Sequence, residues 1–325
     1  MIRTICFENH GSECGRLHSI LLGSAAILLV AWTLGSGSMA LAAAPGTIQC
    51  DSVPSKILDH PVDYCIDLPA SYASSNRRYP VIYFLHGLFG NDHRWIDRGG
   101  KEIFDRLTAD GTIGPVIVVL PDGGETFYIN SEDGKDRYED FFTQELVPFI
   151  DHQFRTIGSK GARAISGVSM GGYGALHLAM RHSDLFGSVA ATSAVLVGEL
   201  PDPLPAEGRW QFYSRILSHA FGSPINQAYW KENSPLTLAK DPSKFQGLKI
   251  YFDVGDQDRY GFDKGAALLD EILTKEGYPH TYALRQGGHG WDFLDQYMPY
   301  SLRFLWQSVE KAAQPSNSSA EVRSH

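Results

Sequence analysis

The pentapeptide Gly167-Val168-Ser169-Met170-Gly171 constrains the fold of this chain more than any other segment. It joins a strand-like run, Ala162 to Ile165, to a helix-like stretch, Gly171 to Met180. A serine between two glycines at such a junction is typical of a nucleophile elbow, a turn so tight that the flanking glycine positions have almost no room for a side chain. Such a turn lifts the serine hydroxyl clear of the sheet, beside the free N–H groups of a helix N-terminus.

The bare glycine-serine-glycine pattern is a weak signal by itself. The chain holds 33 glycines, so the pattern can arise by chance in a glycine-rich turn that carries a bystander serine. The strand-like run before it and the helix-like stretch after it favour the elbow. The sequence therefore predicts Ser169 as a nucleophile, and a serine hydroxyl needs a neighbouring base to take its proton.

An acid and a histidine also follow predicted strands. The apolar run Leu248 to Val254 ends in a loop that carries Asp256 and Asp258, and a later strand-like run ends in a glycine turn with His289 at its tip. Chemistry collects at the carboxyl ends of strands in open α/β sheets, and in elbow folds the acid and then the histidine follow the serine. We therefore predict His289 as the base that activates Ser169, with Asp258 as the acid and Asp256 as the second candidate.

A further element lies upstream, where the strand-like run Pro80 to Leu85 is followed by His86-Gly87-Leu88. An oxyanion hole needs two backbone N–H groups aimed at one point. One is expected from Met170, directly after the nucleophile, and the other from Leu88 in the upstream loop. His86 is expected to organise this loop rather than to act as the base, because the base in this order lies downstream of the nucleophile.

Strand-like and helix-like segments alternate along the chain, which predicts an α/β fold with a mostly parallel central sheet, helices on both faces and an amino-terminal β-hairpin. The expected strands are Val62 to Asp67, Pro80 to Leu85, Val116 to Leu120, Ala162 to Ile165, Ser188 to Ser193, Leu248 to Val254 and Thr281 to Arg285. The expected helices are Lys101 to Ala109, Tyr138 to Gln153, Gly171 to Arg181, Arg209 to Ala220, Phe262 to Glu276 and Phe293 to Lys311.

Composition divides the chain into parts. Residues 45–312 are expected to form one catalytic domain, followed by a polar tail, 313–325, that is expected to be disordered. Within the domain, residues 195–245 hold six prolines and several aromatic residues. We interpret this segment as a cap-like insertion beside the active site. A solvent-facing helical insertion with its own small core explains the composition equally well.

Aromatic residues in loops expected near the nucleophile are candidate substrate contacts, although aromatic side chains more often only pack. The candidates are Trp95, Tyr128 and Trp291.

The amino-terminal segment, 1–44, has the layout of a signal peptide. A 15-residue stretch dominated by apolar residues, Ile20 to Leu34, follows Arg16, and Ala42-Ala43-Ala44 offers a small-residue cleavage site. The alternative is an uncleaved anchor, because no charge occurs from Leu17 through Gly46, which exceeds the ~20 residues that span a bilayer. The expected location is secreted or periplasmic.

Cysteine usage fits the same compartment. Cys6 and Cys14 precede the expected cleavage site, which leaves Cys50 and Cys65 on either side of a turn between two short strand candidates. A disulfide across this hairpin is predicted, since an oxidising compartment would keep it. The alternative is a pair of buried free thiols.

The formal net charge of −9 is carried by the part of the chain after the signal segment. An acidic protein is a poor nucleic-acid binder, so no nucleic-acid partner is expected. A membrane partner is expected only if the amino-terminal segment stays uncleaved. The sequence lacks a phosphate-binding loop and a zinc-protease motif, so no cofactor and no metal are expected.

Several motifs together resemble one family. They are Leu85-His86-Gly87-Leu88, Pro121-Asp122-Gly123-Gly124, Tyr138-Glu139 with Glu145-Leu146, the elbow continued to Ala175, and Gly288-His289. This combination is similar to the esterase D group of α/β-hydrolases, which includes S-formylglutathione hydrolases, feruloyl and acetylxylan esterases and mycolyltransferases. The resemblance covers about Val62 to Val309, and it is specific for the fold and for serine ester chemistry but not for the substrate.

The resemblance implies an α/β-hydrolase fold and a serine carboxylesterase that works through an acyl-enzyme, with acetyl or feruloyl esters of polysaccharides as the substrate class. With the export expected from residues 1–44, the predicted enzyme is a secreted one. It implies Ser169, Asp258 and His289 as the triad and Leu88 with Met170 as oxyanion donors. An acyltransferase of mycolyltransferase type and an S-formylglutathione hydrolase-like thioesterase remain as alternatives. A non-catalytic glycan-binding module is an alternative from another class.

Overall fold

The structure is a computed structural model that describes residues 45–314. The predicted signal segment and the tail from residue 315 onward lie outside the described residues. Within 45–314, no helix is both long enough and apolar enough to cross a membrane.

The described chain builds one eight-stranded sheet in the order β1-β2-β4-β3-β5-β6-β7-β8. β1 pairs antiparallel with β2 and β2 antiparallel with β4, whereas every other neighbouring pair is parallel. This confirms the predicted α/β fold with a mostly parallel sheet and an amino-terminal hairpin. The strands are β1 (Thr47–Val53), β2 (Val62–Leu68), β3 (Val81–Leu85), β4 (Ile117–Pro121), β5 (Arg163–Val168), β6 (Ser188–Thr192), β7 (Lys249–Gly255) and β8 (His280–Arg285).

Helices cover both faces of the sheet. They are α1 (Arg94–Asp97), α2 (Gly100–Ala109), α3 (Tyr138–Phe141), α4 (Val147–Gln153), α5 (Met170–Arg181), α6 (Arg209–Phe221), α7 (Gln227–Asn233), α8 (Pro235–Leu238), α9 (Phe262–Lys275) and α10 (Trp291–Ala313). The helix predicted over Tyr138 to Gln153 is thus divided, because a π-helical turn, Phe142–Leu146, separates α3 from α4.

The side chains of β3 alternate between two buried clusters, one on each face of the sheet. Tyr83 and Leu85 belong to one buried cluster, which includes side chains of α5, whereas Ile82 and Phe84 belong to a second cluster, which includes side chains of α2 and α10. Successive strand residues point to opposite faces, so a strand buried on both faces is apolar at every position. The run Val81–Leu85 therefore formed a continuous apolar signal in the sequence.

Cys50 and Cys65 stand opposite each other in the β1–β2 register and form a disulfide. The bond ties the edge strand β1 to β2 across a sequence separation of 15 residues. A loop of that length contributes about 3 kcal/mol in the chain-entropy account of disulfide stabilisation.

Asp67 on β2 is a buried carboxylate with few interactions that offset the loss of its hydration. The residue is 1% exposed, its two carboxylate oxygens have no hydrogen-bond partner among the described residues, and Lys101 Nζ lies 3.5 Å from Oδ1. Burial raises the pKa of Asp67 to about 6, although the Lys101 ammonium opposes this rise. The folded protein therefore binds a proton at Asp67 in a pH range where the unfolded chain has lost it.

Asp67→Asn is expected to stabilise the protein at neutral pH. A raised carboxyl pKa means that stability falls as pH rises from about 4 to about 6, and an amide removes this loss. The expected gain is about 1 to 3 kcal/mol at pH 7 and close to zero at pH 4. Denaturant unfolding of both proteins at several pH values measures it, and a gain that is the same at both pH values would contradict the assignment.

Candidate active site

The elbow serine lies at the junction that the sequence indicated. β5 ends at Val168, α5 begins at Met170, and Ser169 between them has φ 58° and ψ −116°. A non-glycine residue with positive φ is strained, and such strain is concentrated at functional sites. Ser169 is thus held in an unfavourable backbone conformation by the elements on either side of it.

The two flanking glycines explain why the turn can close. A Cβ atom on Gly167 would lie 2.2 Å from the Gly171 carbonyl oxygen, and one on Gly171 would lie 2.1 Å from the Leu85 carbonyl oxygen. Neither contact is possible for a real side chain, because both neighbouring atoms belong to the backbone. The elbow therefore requires glycine at both positions, and Gly171 also brings the helix against the end of β3.

Ser169, His289 and Asp258 form one hydrogen-bonded chain. His289 Nε2 lies 3.1 Å from Ser169 Oγ, and His289 Nδ1 lies 2.8 Å from Asp258 Oδ2. Because a carboxylate oxygen only accepts, Nδ1–H donates to Asp258, and Nε2 is left to accept the proton of the serine hydroxyl. This geometry allows the imidazole to deprotonate the serine and the carboxylate to hold the imidazole in the required tautomer.

Of the two carboxylates that the sequence left open, the structure brings Asp258 to His289. Asp256 is exposed, and its Oδ1 accepts a hydrogen bond of 3.0 Å from the Gly287 backbone N–H. Asp256 thus shapes the glycine turn before His289 without touching the imidazole in this structure. Asp258 is buried, and its second oxygen, Oδ1, accepts from the Tyr260 backbone N–H at 2.9 Å.

The imidazole is also held by aromatic contacts. The Tyr260 and Phe262 rings meet the His289 ring edge to face, with centroids 4.9 and 5.4 Å away. Both rings follow Asp258 closely in sequence, so one short segment supplies the acid and the packing that orients the histidine. Edge-to-face aromatic pairs contribute about 0.5–1.5 kcal/mol beyond their burial.

The loop after β3 passes directly over the serine. A Cβ atom on Gly87 would lie 3.3 Å from Ser169 Cβ, so glycine lets this loop approach the nucleophile closely. The Gly90 N–H donates to the Gly87 carbonyl oxygen at 3.0 Å and closes a turn around Leu88, which lines the cleft. Met170 begins α5, where the first N–H groups have no partner within the helix.

His86 fastens this loop to the end of β4. Its Nε2 accepts the Gly123 N–H at 2.8 Å, so its Nδ1 carries the proton and donates to the Gly87 carbonyl oxygen at 2.8 Å. The Tyr128 hydroxyl donates to the His86 carbonyl oxygen at 3.1 Å. The ring does not contact His289 or Ser169 through any of these bonds, which agrees with the expected organising role.

His86→Ala is expected to lower kcat by about 10- to 100-fold with a smaller change in KM. Losing both ring bonds leaves the Gly87–Leu88 backbone mispositioned, and this costs less than the 10²–10³-fold loss of an oxyanion donor itself. Steady-state kinetics with a short acyl ester measure the effect. His60→Ala is a matched control, since His60 is exposed and, within residues 45–314, hydrogen-bonds only to the adjacent Pro61 carbonyl. An unchanged kcat in His86→Ala would contradict this role.

Ser169 and His289 lie at the wall of a cleft of about 310 Å³. Its lining is mainly apolar. Phe212 and Ile216 of α6 contribute to it, so the segment 195–245 reaches the cleft as well as the core. The other apolar side chains of the lining are Leu88, Phe89, Val168, Val195, Tyr260, Phe262, Trp291 and Leu294.

Of the three aromatic residues predicted as substrate contacts, Trp95 and Tyr128 do not line this cleft, so the prediction is wrong for these two. Trp95 is 2% exposed and packs between Phe84 and Phe104 in the core. Tyr128 is fully buried, and its hydroxyl is used by the His86 carbonyl. Trp291 does line the cleft.

Other cleft residues were not singled out from the sequence. Ser193 has φ 47°, is 2% exposed, and its hydroxyl has no hydrogen-bond partner among the described residues. A usable signal was present, because Ser193 ends a predicted strand at the sheet edge that carries the nucleophile. Phe89, Arg94 and Arg259 also line the cleft, and each lies within a few residues of a predicted site residue.

In the part of the chain that the structure describes, one group of possible metal-ligating side chains is found outside the cleft lining. It consists of Cys50, Cys65, Asp92 and His93. The two sulfur atoms are joined in the disulfide, and metal binding by cysteine requires thiolates. This group therefore does not form a metal site in the oxidised protein.

Comparison with known proteins gives consistent matches. The family model Esterase, described as "Putative esterase", matches residues 55–304. An acetyl esterase of Caldicellulosiruptor saccharolyticus is 28% identical over 236 residues, which are 70% of this chain and 83% of that protein. Esterase Rv1288 of Mycobacterium tuberculosis is 38% identical over 244 residues, 68% of this chain but only 51% of that protein, so the match spans about half of its length. A solved ferulic acid esterase superposes with a TM-score of 0.70 at 28% identity, covering 81% of this chain and 98% of the other.

Proposed function

The chain belongs to the Esterase family and is a carboxylic ester hydrolase, and we propose that it cleaves its ester through a covalent intermediate on Ser169. The observation that carries this proposal is the continuous hydrogen-bonded chain from Ser169 Oγ through His289 to Asp258. Residues 45–312 are the proposed catalytic domain.

In the first half-reaction, His289 Nε2 takes the proton of Ser169 as Oγ attacks the ester carbonyl. The Asp258 carboxylate stabilises the imidazolium that forms. The tetrahedral oxyanion receives hydrogen bonds from the backbone N–H groups of Leu88 and Met170. Collapse of this intermediate breaks the bond to the alcohol oxygen, which takes the proton from His289 and leaves as the alcohol.

In the second half-reaction, a water molecule attacks the acyl-enzyme while His289 takes one of its protons. The second tetrahedral intermediate collapses with return of a proton to Ser169 Oγ, and the carboxylic acid is released. Each half-reaction uses the same imidazole once as base and once as acid.

The proposed substrates are acetyl or feruloyl esters of polysaccharides. An acetyl esterase and a ferulic acid esterase are among the similar proteins, and the apolar cleft suits an acyl group at the nucleophile. Export of the enzyme is part of the proposal, because polysaccharides lie outside the cell. It is supported by the disulfide in the described chain and by the sequence of residues 1–44.

A panel of acetyl, butyryl, octanoyl and feruloyl esters tests this proposal on the purified protein. We expect a higher kcat/KM for the acetyl and feruloyl esters than for the octanoyl ester. Hydrolysis should exceed transfer when sugars are added as acceptors. Failure to hydrolyse any ester in the panel would refute the proposed function, and transfer in excess of hydrolysis would favour an acyltransferase.

A further inference from the structure

We propose that the mouth of the cleft is an anion-binding subsite formed by Arg94 and Arg259, and that the alcohol part of the natural ester carries a carboxylate. This inference rests on the proposed function, because it concerns the substrate of the same site. Both arginines line the cleft that holds Ser169 and His289.

The charge of the cleft is opposite to that of the protein. The chain has a formal net charge of −9, yet the lining within the described residues contains two arginines and no aspartate or glutamate. The triad acid, Asp258, is buried behind His289 with its carboxylate fully engaged. A local cationic site on an acidic protein attracts an anionic ligand to this position in preference to the rest of the surface.

Each guanidinium is fixed at the cleft wall by one hydrogen bond to another cleft residue. Arg94 Nη2 donates to the Phe89 carbonyl oxygen at 2.7 Å, and Arg259 Nη2 donates to the Tyr260 hydroxyl at 2.8 Å. A guanidinium has five N–H donors, so each arginine keeps donors for a ligand after making this bond. Planar guanidinium groups suit a carboxylate, which can accept two parallel hydrogen bonds.

Phe89 adds a second feature to the mouth. It has φ 61°, and its side chain is 55% exposed, with the guanidinium of Arg215 over the ring at 5.6 Å from the centroid. A strained backbone that leaves a large aromatic ring in solvent is unfavourable for folding, and such features are concentrated at binding sites. An exposed aromatic face beside guanidinium groups suits an acidic sugar ring, which has an apolar face and a carboxylate.

The proposal places the anion on the alcohol part of the ester. Arg94 begins α1 after the oxyanion loop and Arg259 follows the triad acid, so they join the cleft lining from two separate segments of the chain. A small acyl group bonded to Ser169 lies within the cleft, and the larger alcohol part extends toward solvent. We therefore assign acylated acidic glycans as the substrate class.

The test uses two acetyl esters of matched size, 4-acetoxybenzoate and 4-acetoxybenzamide, which differ in the charge of the alcohol part. The readout is the ratio of their kcat/KM values. We expect the wild-type enzyme to have a higher kcat/KM for the benzoate than for the benzamide. In each single variant, Arg94→Gln or Arg259→Gln, the ratio of the two values should fall by about fivefold, as the loss of an exposed charge pair predicts. Raising the ionic strength to about 0.15 M or above should also lower the wild-type ratio, because salt screens exposed charges.

Matched variants distinguish loss of the anion subsite from a general loss of positive charge on the protein. Arg106→Gln removes the same charge from an exposed position outside the cleft lining and should leave the ratio unchanged. Arg259→Lys should restore part of the preference, since it keeps the charge but loses the planar donor pair. A ratio that is equal in wild type and Arg259→Gln, with both esters hydrolysed, would overturn the anion subsite and leave the proposed function standing. Absence of hydrolysis of both esters by the wild type would refute the proposed function itself.

Discussion

Ser169→Ala is expected to lower kcat/KM for short acyl esters by at least about 10⁴-fold, since triad residues act as a unit and removing the nucleophile removes the acyl-enzyme route. The variant keeps the same Cβ atom in the same elbow, and the lost hydroxyl is partly exposed and bonded only to His289 among the described residues. The free energy of unfolding should therefore change by less than about 0.5 kcal/mol.

Ester hydrolysis and denaturant unfolding on the same preparation measure both parts of this prediction. Ser74→Ala is a suitable control, because Ser74 is exposed and its hydroxyl, in the described part of the chain, hydrogen-bonds only to the Ser71 carbonyl oxygen. Retained turnover in Ser169→Ala, at more than a few per cent of wild type, would contradict its role as nucleophile. A large loss of stability would show that the hydroxyl has a structural function as well.

Asp258→Asn is the second large effect, with an expected loss of about 10⁴-fold in kcat. An amide at this position presents a donor as readily as an acceptor to His289 Nδ1, so the imidazole can adopt the tautomer that no longer accepts the serine proton. Asp256→Asn is the matched control two residues away. Asp256 Oδ1 accepts the Gly287 N–H, and an asparagine oxygen can accept the same bond.

The comparison of these two variants decides which carboxylate is the acid. We expect Asp256→Asn to keep kcat within about threefold of wild type, as is usual for an exposed substitution that preserves its hydrogen bond. A larger loss at Asp256 than at Asp258 would mean that the loop rearranges when substrate binds.

The elbow and the order of the triad could be predicted from sequence because local requirements are severe there. Gly167 and Gly171 are forced by backbone contacts of about 2 Å, and any such turn leaves this glycine pattern. The sequence favoured Asp258 over Asp256 but could not exclude Asp256, since both follow the same strand within a few residues. The choice depends on how the loop after β7 meets the loop after β8, where Asp256 binds Gly287 and Asp258 binds His289.

The substrate contacts were harder to predict than the triad for a related reason. Trp95 and Tyr128 lie in or beside loops near the site, but each ring turns inward against a glycine. A Cβ atom on Gly100 would lie 2.4 Å from the Trp95 ring, and one on Gly123 would lie 2.2 Å from the Tyr128 ring. These glycines, each five residues from the aromatic side chain, make room for the rings in the core, and the inward turn of a ring cannot be read from the sequence of the loop.

The proposed mechanism depends on a covalent intermediate on Ser169, and mass spectrometry of the acylated enzyme detects this intermediate. Wild-type protein is quenched in acid during turnover of p-nitrophenyl acetate, digested, and its peptides are searched for an added acetyl group. The predicted result is a single acetylated site at Ser169, with greater occupancy in His289→Gln if deacylation becomes slower than acylation. An unmodified Ser169 under conditions where another residue carries the acyl group would rule out Ser169 as the nucleophile.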